Sequence, residues 1–319
     1  MKITVVGAGR WGSLIAWYLN RQSQDVTLYG RASSEKMQRI LKERKNDLLE
    51  FPDEIKLTTN IGSVKDADVI VISINSQGLY DLMRELAPYE LENKIFVLCM
   101  KGIDIKSSKR LSQIASENTS PSNKVAVWLG PGHVQEFLKG VPNCMVIDSL
   151  DYDVKKKLVD EFSGDLIRFY YGTDLIGNEI GAAAKNVIGI AAGMLDALEI
   201  SSLKGALMSR GTREVSRLIK AMGGSELSAY GLCHLGDYEA TVFSPHSHNR
   251  AFGEAFVKGE KFDSLAEGYY TVKALVKMGK DTGAELPISE AVYKVLYEGA
   301  DVKNTINGLF ERTVTREFL

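Results

Sequence analysis

Residues 1–19 read MKITVVGAGRWGSLIAWYL, and the meaning of that run decides the fold. Ile3 to Val6 form a short β-branched stretch, the signature of a buried strand. Gly7, Gly9 and Gly12 then spell GxGxxG, and Leu14, Ile15 and Leu19 follow at helical spacing. In a strand–turn–helix unit of this kind the first glycine permits a tight turn. The second lets backbone approach a pyrophosphate, and the third lets helix and strand pack closely. The N–H groups at the start of the helix have no partner within it and suit an anion. The run therefore predicts a site for the pyrophosphate of a nicotinamide dinucleotide.

Working outward, similar apolar runs recur at 26–29, 69–74, 95–99, 125–129, 144–147 and 166–171. Helical patterns at 35–44, 77–86 and 152–162 lie between them. Strands alternating with helices predict a mostly parallel sheet covered on both faces, a Rossmann-type doubly wound α/β domain over residues 1–174. From there the β-branched runs stop, and helical patterns at 174–199, 204–222, 225–231, 250–258, 269–282 and 288–297 predict an all-α domain over 175–319. A cleft between the two halves is the expected ligand site.

Composition narrows the function. The 319 residues carry a formal net charge of −2, with 45% hydrophobic and 25% charged residues, so neither nucleic acid nor an anionic membrane is an expected partner. No apolar run reads as a membrane span, and no membrane insertion is expected. Three scattered cysteines, Cys99, Cys144 and Cys233, fit a reducing compartment, and with no signal-peptide pattern the expected location is the cytoplasm. His234, His246 and His248 match no metal-ligand spacing, so no metal is expected.

An enzyme selective for NAD would carry Asp or Glu at the end of its second strand, to hold the ribose hydroxyls. Here that position reads Tyr29-Gly30-Arg31. Arg31, with Arg10 inside the loop, suits a 2′-phosphate, so NADP(H) is the preferred cofactor and NAD(H) the alternative.

Three further clusters stand out. In EIGAAAKNVIGIAAGMLDAL (179–198) Lys185 sits among small apolar residues, with Gly181 and Gly189 one turn away on the same face. Those glycines clear space for a substrate to approach the ammonium, and burial would lower its pKa towards that of a useful acid–base. In CHLGDYEATVFSPHSHNRAFGEAF (233–256) Asp237 precedes a polar knot of Ser247, His248, Asn249 and Arg250 at a helix start, a setting that suits an anion. Lys101 and the backbone at Gly130 to Gly132 follow strands, at the edge of an open sheet where ligands bind.

Taken in order, GAGRWGS, MKGI, LGPGH, EIGAAAKNVIGIAAG, SRG, LGDYEAT, SHNRAFG, AEGYYTVKA and LPISEAVYKVLYEG resemble the NAD(P)-dependent glycerol-3-phosphate dehydrogenase family over nearly the whole chain. The resemblance implies reversible reduction of dihydroxyacetone phosphate to sn-glycerol 3-phosphate, the backbone for phospholipid synthesis. It implies Lys185 as acid–base, Lys101 as its neighbour at substrate and cofactor, and Asp237 as the acid that polarises the lysine and holds a substrate hydroxyl. It places Ser247, His248 and Asn249 at the phosphate of a small phosphorylated substrate, with Arg250 beside them and also near the cofactor. Trp11, Arg31, Val134, Leu265 and Glu267 fall at cofactor positions, and the family's habit implies a homodimer.

Three positions depart from the pattern. Gly132 stands where serine is usual, His248 where arginine is usual, and LEISSLKG (198–205) replaces a glycine-rich, asparagine-containing loop. A related dehydrogenase of another small hydroxy or keto compound is therefore the alternative, and a non-catalytic dinucleotide sensor a more distant one.

Overall fold

The computed structural model describes residues 1–313 and Glu317, grouped into two compact units. The first comprises Met1–Met100 with Leu111–Thr173, and the second Lys101–Arg110 with Asp174–Leu319. The division expected after residue 174 thus falls after 173, and the excursion 101–110, which carries Lys101, groups with the helical unit.

The first unit is built on an eight-stranded sheet in the order β3-β2-β1-β4-β5-β6-β7-β8. Its strands are β1 (Lys2–Val6), β2 (Asp25–Tyr29), β3 (Lys56–Thr58), β4 (Val69–Ile72), β5 (Ile95–Leu98), β6 (Lys124–Leu129), β7 (Asn143–Ser149) and β8 (Ile167–Tyr171). The helices are α1 (Arg10–Arg21), α2 (Glu35–Glu43), α3 (Leu79–Leu86), α4 (Leu111–Glu117), α5 (Val134–Leu138) and α6 (Tyr152–Phe162). Every pairing is parallel except β6 with β7. Between β6 and β7 the covering helix α5 is only five residues long, and the chain enters β7 from the end at which it left β6. β3 escapes sequence detection because its three residues, Lys-Leu-Thr, hold one apolar side chain.

Val5, Leu28, Val71, Val97 and Trp128 lie in one continuous core with Ile15, Leu19 and Phe162 from the covering helices. Trp128 meets Phe169 edge to face at 4.9 Å, and the Tyr18 hydroxyl donates to the Phe162 carbonyl at 2.6 Å.

The second unit is helical: α7 (Leu175–Ala197), α8 (Lys204–Ala221), α9 (His248–Lys258), α10 (Glu267–Thr282), α11 (Pro287–Glu298) and α12 (Val302–Phe310). The pattern at 225–231 becomes a 3₁₀ turn, Glu226–Tyr230. α7 is the core helix, buried at every residue from Glu179 to Leu195. By length and mean hydropathy, 1.2, this helix could cross a bilayer, contrary to the expectation that no run would qualify, but 89% of the relevant window is buried within the protein. Glycines bring its neighbours close. A Cβ on Gly193 would lie 1.9 Å from the Arg250 carbonyl oxygen, and one on Gly253 only 2.1 Å from that of Ile190. A Cβ on Gly268 would stand 2.6 Å from the Asn186 carbonyl oxygen. Two partner helices therefore rest directly on the α7 backbone, which fixes α9 and α10 around it.

α11 is capped from another helix. Its own N-cap, Leu286, has no side-chain oxygen, and the fully buried Glu214 of α8 accepts the N–H groups of Ile288 at 2.7 Å and Ser289 at 3.0 Å, plus the Ser289 hydroxyl at 2.6 Å. Burial pushes the Glu214 carboxyl up to about 7, while these donors pull it down. Glu214→Ala leaves two buried helix N–H groups without an acceptor and opens a cavity, so it should lower stability by about 2–4 kcal/mol. Urea unfolding of the variant beside wild type measures the loss.

Candidate active site

The dinucleotide loop lies at the carboxyl edge of the sheet, between β1 and α1. Gly7 turns the chain at φ +119°, and a Cβ there would stand 2.2 Å from the Ser73 carbonyl oxygen. A Cβ on Gly12 would come within 1.9 Å of the Gly7 carbonyl oxygen. Around Gly9, by contrast, no atom lies within 4 Å of where a Cβ would be. Two glycines are thus demanded by packing, and the middle one borders open space. Gly9 is the N-cap of α1, no side chain caps it, and the first turn holds no acid. The loop fits an anionic pyrophosphate.

Arg10 and Arg31 are exposed, one in the first turn of α1 and the other just after β2. Trp11 packs on Phe137, ring centroids 6.1 Å apart, and Val134 is buried at the start of α5. Gly132 now has a structural explanation. A Cβ there would be 2.4 Å from the Phe137 ring, so the residue usual at this position in the family cannot enter without displacing that ring. Gly130, at φ +128°, would likewise place a Cβ 3.0 Å from the Met145 backbone.

The second unit gathers Lys185, Lys101 and Asp237 from three separate elements. Lys185 projects from α7, Asp237 ends the 3₁₀ turn Leu235–Asp237, and Lys101 begins the excursion 101–110. Asp237 Oδ2 accepts Lys101 Nζ at 2.6 Å and Lys185 Nζ at 2.9 Å. The carboxylate is 1% exposed, and among the described residues its Oδ1 has no hydrogen-bond partner. A buried carboxylate oxygen left unsatisfied is costly, and such atoms mark places where a ligand group completes the network.

Burial lowers the Lys185 pKa to about 8, and the Lys101 charge pushes the same way, while Asp237 pulls it back up. Thr241, in the π-helical turn Glu239–Phe243, completes the surroundings. Its hydroxyl donates to the Asp237 carbonyl at 2.7 Å and so presents a lone pair to Lys185 Nζ at 2.8 Å. The lysine is held by two acceptors, one anionic and one neutral. An ammonium with a pKa near neutrality can give up a proton and recover it without a large barrier.

The excursion that carries Lys101 is tied to α7 at two points. Asn186 Nδ2 donates to the Lys101 carbonyl at 2.9 Å, and Arg110 forms a buried ion pair with Glu179. Asn249 donates to Asn186 Oδ1 at 3.0 Å and accepts the Gly268 N–H at 2.9 Å. A single amide chain therefore links α10, α9, α7 and the backbone of Lys101.

At the start of α9, Ser247 is the N-cap, accepting the Arg250 N–H at 3.3 Å, and His248 is exposed in the first turn. Arg250 is committed elsewhere. Its guanidinium meets Asp196 at 2.8 Å, Glu254 at 3.2 Å and the Ser244 carbonyl at 3.3 Å. The same Asp196 holds Lys204, whose buried ammonium also reaches the Val242 carbonyl at 3.1 Å. Leu265 is 43% exposed, and Glu267 opens α10.

One expectation is corrected. The space beside Lys185 at Gly181 and Gly189 admits the protein itself. Cβ atoms there would stand 3.0 Å from His234 and 2.7 Å from Thr241 respectively. Thr241, Asn186 and Asp196 are the connecting groups that sequence reading did not assign. Of these, Thr241 had a local signal, lying four residues beyond Asp237 in helical register.

Residues 2–155 match the profile of the NAD-dependent glycerol-3-phosphate dehydrogenase N-terminus, and residues 174–307 that of its C-terminus. A relative from Prosthecochloris aestuarii named glycerol-3-phosphate dehydrogenase (NAD(P)+) is 36% identical, covering 98% of both chains. One of the same name from Agrobacterium fabrum is 34% identical over 99% of each. The crystal structure of a glycerol-3-phosphate dehydrogenase from Coxiella burnetii superposes with a TM-score of 0.90 at 27% identity, covering 98% of this chain and 99% of its own.

Proposed function

Because the chain belongs to the NAD-dependent glycerol-3-phosphate dehydrogenase family, we propose that its Lys185–Asp237–Lys101 cluster performs the acid–base step of that family's reaction. It is an oxidoreductase that uses a nicotinamide dinucleotide and interconverts dihydroxyacetone phosphate and glycerol 3-phosphate. The observation that carries the mechanistic reading is Asp237 Oδ2 lying 2.9 Å from the ammonium of Lys185, itself poised near neutrality.

In the reductive direction Lys185 gives a proton to the C2 oxygen of the ketone as charge develops there, and in the oxidative direction it takes that proton back. Asp237 keeps the lysine cationic between turnovers, and its unpartnered Oδ1 accepts a substrate hydroxyl. Thr241 holds the ammonium through a neutral lone pair, so proton release does not break an ion pair on that side. Lys101 supplies a second positive charge for the anionic substrate and depresses the Lys185 pKa. When bound, the dinucleotide supplies the hydride, and Gly7, Gly9, Gly12 and the first turn of α1 would hold its pyrophosphate.

Arg31 and Arg10, with no acid at the end of β2, favour the phosphorylated dinucleotide. For the substrate phosphate, Ser247, His248 and Asn249 stand at the α9 N-terminus, and Arg250 is engaged with Asp196 and Glu254. His248 therefore takes the position of the missing guanidinium.

Lys185→Ala should lower kcat by about 10³-fold or more while the affinity for NADPH, followed by fluorescence titration, stays within about threefold. In wild type, reduction needs the protonated lysine, so its kcat should fall as pH rises through about 8 while oxidation gains through the same range. Near-normal turnover in Lys185→Ala excludes the assignment. NADPH should surpass NADH in kcat/KM, and Arg31→Ala should erase about 10–100-fold of that advantage. An NADH preference in wild type overturns the cofactor reading. Restoring a guanidinium with His248→Arg should lower KM for dihydroxyacetone phosphate by about 5–100-fold with kcat little changed, and an unaltered KM removes His248 from the phosphate site.

A further inference from the structure

Beneath the lysine–aspartate pair lie two fully buried polar side chains that the acid–base step does not use, His234 and Tyr238. His234 Nδ1 is 2.8 Å from the Gly181 carbonyl oxygen. A carbonyl only accepts, so Nδ1 carries the ring proton. Burial draws the imidazole pKa down to about 4, with the Lys185 charge adding to the effect and the Gly181 bond and Asp237 charge opposing it. The ring is therefore neutral while the enzyme works, Nε2 is an acceptor, and the Tyr238 hydroxyl, 2.8 Å away, donates to it. The two rings also meet edge to face, centroids 4.9 Å apart.

The ends of this bridge fall at telling places. Gly181 lies one helical turn before Lys185, and its carbonyl is the one that receives the Lys185 backbone N–H in the α-helical pattern. Tyr238 follows Asp237 directly, and His234 begins the turn whose carbonyl receives the Asp237 N–H at 3.0 Å. The absence of a side chain at Gly181 is what admits His234, since a Cβ there would sit 3.0 Å from the histidine Cβ. One hydrogen-bonded path thus joins the backbone that carries the lysine to the backbone that carries the aspartate.

We propose that His234 and Tyr238 are positioning residues that set the distance between Lys185 and Asp237, and through it the protonation of the acid–base lysine. The proposal rests on the assignment of Lys185 as the proton donor. Asp237 is the group that holds the lysine's proton, so a looser bridge lets Asp237 retreat and the lysine releases its proton at lower pH. A side chain that served only to fill the core would change stability and leave that pH unchanged.

Tyr238→Phe removes a single oxygen and keeps the ring. The expected result is a reductive kcat lowered about tenfold, KM for dihydroxyacetone phosphate changed less than kcat, and the alkaline limb of the kcat–pH profile moved down by about half a unit to one unit. If Tyr238→Phe does not fold, His234→Asn keeps a donor for Gly181 but is too short to place an acceptor at the Nε2 position that Tyr238 meets, and is read on the same limb. A wild-type limb near pH 8 that stays in place in the folded variant, whatever its Tm, overturns the positioning role alone. A wild-type profile with no such limb removes the acid–base assignment and this proposal together.

Discussion

An ammonium group held inside a helical core is the constraint on which the second unit depends. Lys185 is 8% exposed on a helix whose other buried side chains are mostly alanine, glycine, valine and isoleucine, and a lone charge there would cost several kcal/mol. The structure offsets that cost with one carboxylate shared between two lysines and with one hydroxyl lone pair. The remaining imbalance appears as a pKa of about 8, which is also what suits the group to proton transfer. Stability and chemistry are here set by the same desolvation.

That arrangement works only if its parts are held in register, and the means differ along α7. At Gly193, and through Gly253 and Gly268, backbone rests on backbone, so α9 and α10 have no freedom to slide. At Gly181 and Gly189 the missing side chains are replaced by His234 and Thr241, which bring polar contacts to the lysine's own turn. Asn186 and Asn249 then carry the register outward to the Lys101 backbone. The glycines in this helix lower its intrinsic propensity, and tertiary packing more than compensates. Arg250 illustrates the opposite case. It looks available in sequence, yet Asp196, which also takes Lys204, has already claimed it.

Most of the architecture was legible in advance where the signal is local. The strand–loop–helix at 1–19 is decided within about twenty residues by a β-branched run, glycine spacing and helical periodicity, and each of those is a short-range property. The misses are elements with weak local signals: β3 with one apolar residue, α4 with seven residues, α5 with a single turn and a half, and α12, whose face is only partly buried. The antiparallel entry into β7 was not legible either, because strand direction belongs to the pairing with a neighbour and leaves no mark in the strand's own residues.

The sequence by itself determined the kind of molecule: a dinucleotide loop on a doubly wound sheet, a helical unit after it, and a lysine set among small apolar residues of one helix. Only the tertiary structure decided what that lysine meets. Asp237 and Thr241 are both distant in the chain from Lys185, as Lys101 is from Asp237, and no periodicity connects such positions to the lysine. Their meeting is fixed by how closely helices approach one another. The same close approach filled the gaps beside Lys185 with His234 and Thr241, where the sequence alone had suggested room for a substrate.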